Sequence, residues 1–148
     1  MLTGDPVPLR QGNRKGFPPP LALVLMFSRL LYVLWLLSIL LVMTGSLLPA
    51  SSPAMRAIGE LPVSSKVLHF CAYTWLALLA LLAIKRRSIA VLAALSMILL
   101  GVALEFGQQL VPGREFEIRD MFINGAGVLT GFAIGILSRR IVPAASSS

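Results

Sequence analysis

At 148 residues, 57% of them hydrophobic and 13% charged, with a mean hydropathy of +0.86, the chain carries more apolar surface than a soluble domain of its size can bury, which points to the membrane class. The net charge of +7 does not indicate a nucleic-acid partner, because the basic residues lie in short clusters between apolar runs and no DNA- or RNA-binding pattern accompanies them. A single cysteine, Cys71, excludes an intrachain disulfide; a single histidine, His69, excludes a bis-histidine haem site within one chain, and no cofactor is expected.

Residues 1–20 are polar, rich in Gly and Pro and closed by Pro18, Pro19 and Pro20; they read as a disordered cytoplasmic tail. A single membrane domain is expected over 21–141. Its first apolar run, Leu21 to Leu48, is broken only by Arg29 and supplies a span at about 28–48, ended by Pro49 and a Ser-rich stretch. A signal peptide cleaved near Ala50 or Ala54 is the competing reading, but the run is long for an h-region of roughly 7–15 residues. The second span is 67–84, with Ser64 or Ser65 to cap it and Lys85, Arg86 and Arg87 to stop it. The third, 89–111, carries Glu105, Gln108 and Gln109 in its last turns and ends at Pro112-Gly113. A charged connector, Arg114 to Arg119, leads to the fourth span, 120–138, stopped by Arg139 and Arg140, and 142–148 form a short tail. The expected fold class is therefore all-α: a polytopic membrane protein built as a bundle of four transmembrane helices.

Orientation follows from counting Lys and Arg. With a cytoplasmic N-terminus, Arg10, Arg14, Lys15, Arg29, Lys85, Arg86, Arg87, Arg139 and Arg140 lie inside and Arg56, Lys66, Arg114 and Arg119 outside, nine against four. The positive-inside rule favours this arrangement, with both termini cytoplasmic.

On that topology the polar residues of three helices reach the outer membrane level together. Lys66, His69 and Tyr73, spaced by three and four, share one face at the start of the second span. Glu105 and Gln108 share a face at the end of the third, Asp120 and Asn124 begin the fourth, and Arg114 lies in the loop between. Asp120, Asn124, Gly127 and Gly131 form one stripe, and Gly127, Gly131 and Gly135 make a small-residue repeat that lets another helix approach closely. Each polar residue has a structural explanation: snorkelling for Lys66, an interfacial aromatic for Tyr73, an ion pair for Glu105 with Lys66 or Arg114, a cap or interhelical bond for Asp120 and Asn124. Gathered at one end of a small bundle, they point to a site.

Lys66-Val-Leu-His69 with Tyr73, then Glu105-Phe-Gly-Gln108, Pro112-Gly113-Arg114, and Asp120, Asn124, Gly127 and Gly131 resemble the motifs of the VanZ-like family, small bacterial membrane proteins named for a teicoplanin-resistance determinant. The resemblance spans Lys66 to about Gly131; Ser65 stands where the family often has an acidic residue. It implies a four-helix protein of the cell envelope and, in one branch of the family, reduced susceptibility to teicoplanin. It implies no reaction.

Four readings of the cluster stay open. In the first, Lys66 and Arg114 hold an anionic lipid or cell-wall-related ligand, oriented by Glu105 and Asp120, with Gln108, Asn124, Tyr73 and His69 completing the hydrogen bonding. In the second, an intramembrane enzyme acts on a lipid-linked envelope substrate, with His69 as acid or base tuned by Glu105 or Asp120. The third is a metal site of His69, Glu105 and Asp120, for which the ligand types suit but the spacing matches no metal motif. The fourth is a structural network that sets helix register. Membrane lipids are the expected partners.

Overall fold

The computed structural model describes residues 21–141. The readings of 1–20 and 142–148 as tails lie outside the described residues. Within them all the regular secondary structure is helical: α1 (Leu21–Leu47), α2 (Pro53–Gly59), α3 (Ser65–Ala83), α4 (Arg87–Gln108) and α5 (Ile118–Ile141). Four of these, α1, α3, α4 and α5, are long and apolar enough to cross a membrane. At 1.5 Å per residue even α3, with 19 residues, rises close to the ~30 Å of a hydrocarbon core. The four-helix membrane bundle expected from the sequence is therefore the fold. The short α2 is an addition. Ser52 accepts from the Met55 amide at 3.3 Å and Pro53 occupies the first turn, so a Ser-Pro start organises one surface helix between the first two spans.

The centre of the bundle is α3. Tyr73, Leu76, Ala77, Leu79, Ala80 and Leu81 are all buried, and α3 packs on α1, α4 and most extensively on α5. Leu92 and Leu99 on α4, and Leu37 and Leu41 on α1, point outward, as lipid-facing positions should. Lipid tails are as apolar as leucine, so helices associate through close packing and hydrogen bonds rather than through removal of apolar surface from water. The α3–α5 contact shows how. A β-carbon on Gly127 would lie 2.6 Å from the Phe70 carbonyl oxygen; one on Gly131 would collide with the Thr74 carbonyl; one on Gly135 would lie 2.6 Å from Leu81 Cδ1. Of the three glycines read from the sequence as a packing seam, Gly127 and Gly131 lie directly on the backbone of α3 and Gly135 on the Leu81 side chain.

The basic end is tied by an arginine. The last carbonyls of a helix have no partner within it. Arg139, near the end of α5, donates through Nε to Leu81 O at 2.5 Å and through its terminal nitrogen to Ile84 O, closing the C-terminus of α3. Trp75 Nε1 donates to Ser38 Oγ at 3.2 Å and pins α1 to α3 at mid-height.

Candidate functional site

The other end of the bundle collects the C-termini of α1 and α4 and the N-termini of α3 and α5. Ser64 starts α3 by accepting from the Val67 amide at 3.4 Å, which sets Lys66, His69 and Tyr73 on successive turns facing α5. After α4 the chain reverses at Pro112-Gly113; Gly113 has φ +75°, a conformation other residues rarely adopt, and Pro112 O accepts from Ala50 N at 3.4 Å. The reversal folds the connector back over α4 and starts α5 at Ile118, which places Asp120 in its first turn.

Three layers result. At the rim, Lys66 Nζ lies 3.7 Å from Glu117 Oε2, with both side chains about half exposed. Such an exposed pair is worth at most ~1 kcal/mol and opens readily. Below it, His69 Nδ1 donates to Asn124 Oδ1 at 3.1 Å, while Nε2 lies 3.7 Å from Asp120 Oδ2. The histidine is thus held at one nitrogen and faces a carboxylate at the other. At the base, Glu105 is 1% exposed. Its Oε2 accepts from the Glu117 amide at 3.2 Å, and the Gln108 amide, oriented to donate, is 3.2 Å from Oε1 and 3.3 Å from Oε2. Asp120 differs from Glu105: it is 8% exposed, and its Oδ1 is buried without a hydrogen-bond partner. A buried acceptor left in that state costs ~1–3 kcal/mol.

The structure brings together His69, Asp120, Asn124, Glu105 and Gln108, with Lys66 at the mouth. Tyr73 is buried one turn deeper, beneath His69 and against Gly101 and Gly127. Arg114 sits apart. Its guanidinium donates to Leu48 O at 3.1 Å and Gly45 O at 2.9 Å and also contacts Met55 Sδ, so it caps α1 and holds α2 in place. Among the described residues no three His, Cys, Asp or Glu side chains are grouped as a metal set. Gln109, beside Gln108 in sequence, is exposed.

Two residues of the site were not singled out from the sequence. Glu117 pairs with Lys66 through its side chain and with Glu105 through its backbone. Gly101 leaves room on α4 for the neighbours of the histidine: a β-carbon there would lie 3.1 Å from Tyr73 Cε1 and 3.2 Å from Asn124 Cβ. Its signal was its position four residues before Glu105, on the same face of α4.

The family model for VanZ/LLP1 matches residues 20–139, most of the chain, and the chain belongs to that family. No curated protein and no solved structure matches it.

Proposed function

We propose that this VanZ/LLP1-family protein binds, at the outer face of a bacterial cytoplasmic membrane, the anionic headgroup of a lipid or of a lipid-linked, cell-wall-related molecule. The carrying observation is Asp120. It holds a buried, unpartnered acceptor beside His69, in a cluster whose cationic groups are Lys66 at the rim and His69 when protonated. A headgroup with a phosphate or carboxylate for Lys66 and His69, and a hydroxyl or amide N–H for Asp120, meets both requirements. The weak Lys66–Glu117 pair yields to such an anion, while the Glu105–Gln108–Glu117 network holds the base rigid. Arg114 contributes from beside the site, by fixing the α1 end and the connector around it. The positive-inside count supports the outward orientation.

The test is binding of a polyprenyl-diphosphate-linked disaccharide to the protein in nanodiscs, read by native mass spectrometry. Lys66→Gln and Asp120→Asn are each expected to weaken retention by roughly 10- to 100-fold, the range of a hydrogen bond to a charged group. Unchanged retention in both variants overturns the reading. In cells, reduced susceptibility to teicoplanin is the expected consequence, lost in the same variants.

The two-sided hold on His69 favours a second reading, an intramembrane enzyme in which Nε2 passes a proton to or from a lipid-linked substrate with Asp120 behind it. Turnover by purified protein, lost in His69→Ala, supports it; full cellular function of His69→Ala removes it.

A further inference from the structure

We infer that the opposite, basic end of the bundle carries a second site: a groove between α1 and α3 that takes the phosphate headgroup of an anionic phospholipid of the adjoining leaflet. The groove has a volume of about 520 Å³ and is lined by α1, the last residue of α3 and the turn that follows it. Arg29 and Lys85 line it from opposite sides, with Ser28 and Tyr32 on the α1 wall and apolar Val33 and Ala83 completing it. No acidic residue lines it. Among the described residues the ion pairs are Lys66–Glu117 and His69–Asp120, both at the other end, so Arg29 and Lys85 have no acidic partner there. A third guanidinium, that of Arg139, lies nearby, bonded to the carbonyl of Ile84 in the groove wall.

Charge complementarity selects the occupant. Two cations over an apolar floor, at the level where α3 ends and Lys85, Arg86 and Arg87 begin, match a phosphate joined to acyl chains. Basic pockets between membrane helices hold anionic lipid headgroups on this principle. Arg29 can grip two phosphate oxygens at once, and Lys85 adds a point charge. The outward-facing Leu25 and Val33 leave the groove open sideways to lipid. A zwitterionic lipid presents the same phosphate but adds a positive group that these cations disfavour.

The experiment is native mass spectrometry of the full chain in nanodiscs of equal phosphatidylglycerol and phosphatidylcholine. The wild type is expected to retain phosphatidylglycerol in preference. Arg29→Gln with Lys85→Gln is expected to lower that preference about 30-fold, the value of two interfacial cations at ~1 kcal/mol each. Arg86→Gln with Arg140→Gln removes as much charge from the same end outside the groove and should change it little. Ser28→Trp keeps both charges but fills the groove, and should also lower that preference, which guards against misfolding of the charge variant. An equal preference in wild type and the Arg29/Lys85 variant, an equal loss in the Arg86/Arg140 control, or full retention in Ser28→Trp overturns the inference.

Discussion

The glycine seam allows a stability prediction whose sign can be worked atom by atom. Replacing Gly131 by Ala places a methyl against the Thr74 carbonyl, with its carbon at 2.9 Å and the Leu78 amide nitrogen at 3.1 Å. These are backbone atoms of the central helix, so no rotamer change relieves the clash and α3 and α5 must separate. Overpacking of this kind costs ~1–3 kcal/mol. Any Gly→Ala change in a helix also gains about 1 kcal/mol of propensity. Gly125 supplies the control, since its β-carbon would meet nothing within 4 Å. The difference between Gly131→Ala and Gly125→Ala therefore isolates the packing loss, about 1–3 kcal/mol. Gly127→Ala, facing Phe70 O at 2.6 Å, and Gly135→Ala, facing Leu81 Cβ at 2.8 Å, which no rotamer change moves, should both behave like Gly131→Ala. Equilibrium unfolding in mixed detergent micelles, followed by Trp35 and Trp75 fluorescence, measures the series. Equal stabilities for Gly131→Ala and Gly125→Ala, within about 0.5 kcal/mol, refute close backbone approach as the basis of the α3–α5 contact.

Arg114→Lys keeps the charge but loses the fork that spans the Gly45 and Leu48 carbonyls; a loss of about 1.5–3 kcal/mol is expected, with faster proteolysis of the connector after α1. Glu105→Gln sets an amide NH2 towards the Gln108 amide and should destabilise by about 1–3 kcal/mol, and adding Gln108→Glu, which exchanges donor and acceptor, should recover part of it in a double-mutant cycle. A reporter fused to the C-terminus should be active only when its required compartment is the cytoplasm, and activity confined to the other side overturns the orientation.

How far the sequence could be read depended on whether a partner is a side chain or a backbone. The spans were legible because apolar length alone sets them. His69, Asp120 and Asn124 were legible as a group because turns of three and four residues stack on one helix face, and two such faces at one membrane level must meet. Arg114 shows where this logic stops. Its charge and its place in the connector between the last two spans suggested an anion, yet its acceptors are the carbonyls of Gly45 and Leu48, which any residue type would present. A helix end that needs a donor leaves no mark in the sequence of the donor. Glu117 escaped for the same reason, since half of its role is a backbone amide offered to Glu105.

That difference separates the acidic residues of the site by role. Glu105 has its acceptors filled by Gln108 and the Glu117 amide, and Glu117 lies half-exposed at the rim, so neither carries an unmet demand from within the bundle. Asp120 alone among these three pairs burial with an unanswered oxygen. Removing its charge should therefore stabilise the protein or leave it unchanged while abolishing binding, whereas the same change at Glu105 should destabilise first. Unfolding and ligand retention measured side by side on Asp120→Asn and Glu105→Gln distinguish a functional carboxylate from an architectural one. Parallel losses of stability in both variants would assign Asp120 to architecture and leave His69 and Lys66 as the groups to which a headgroup must bind.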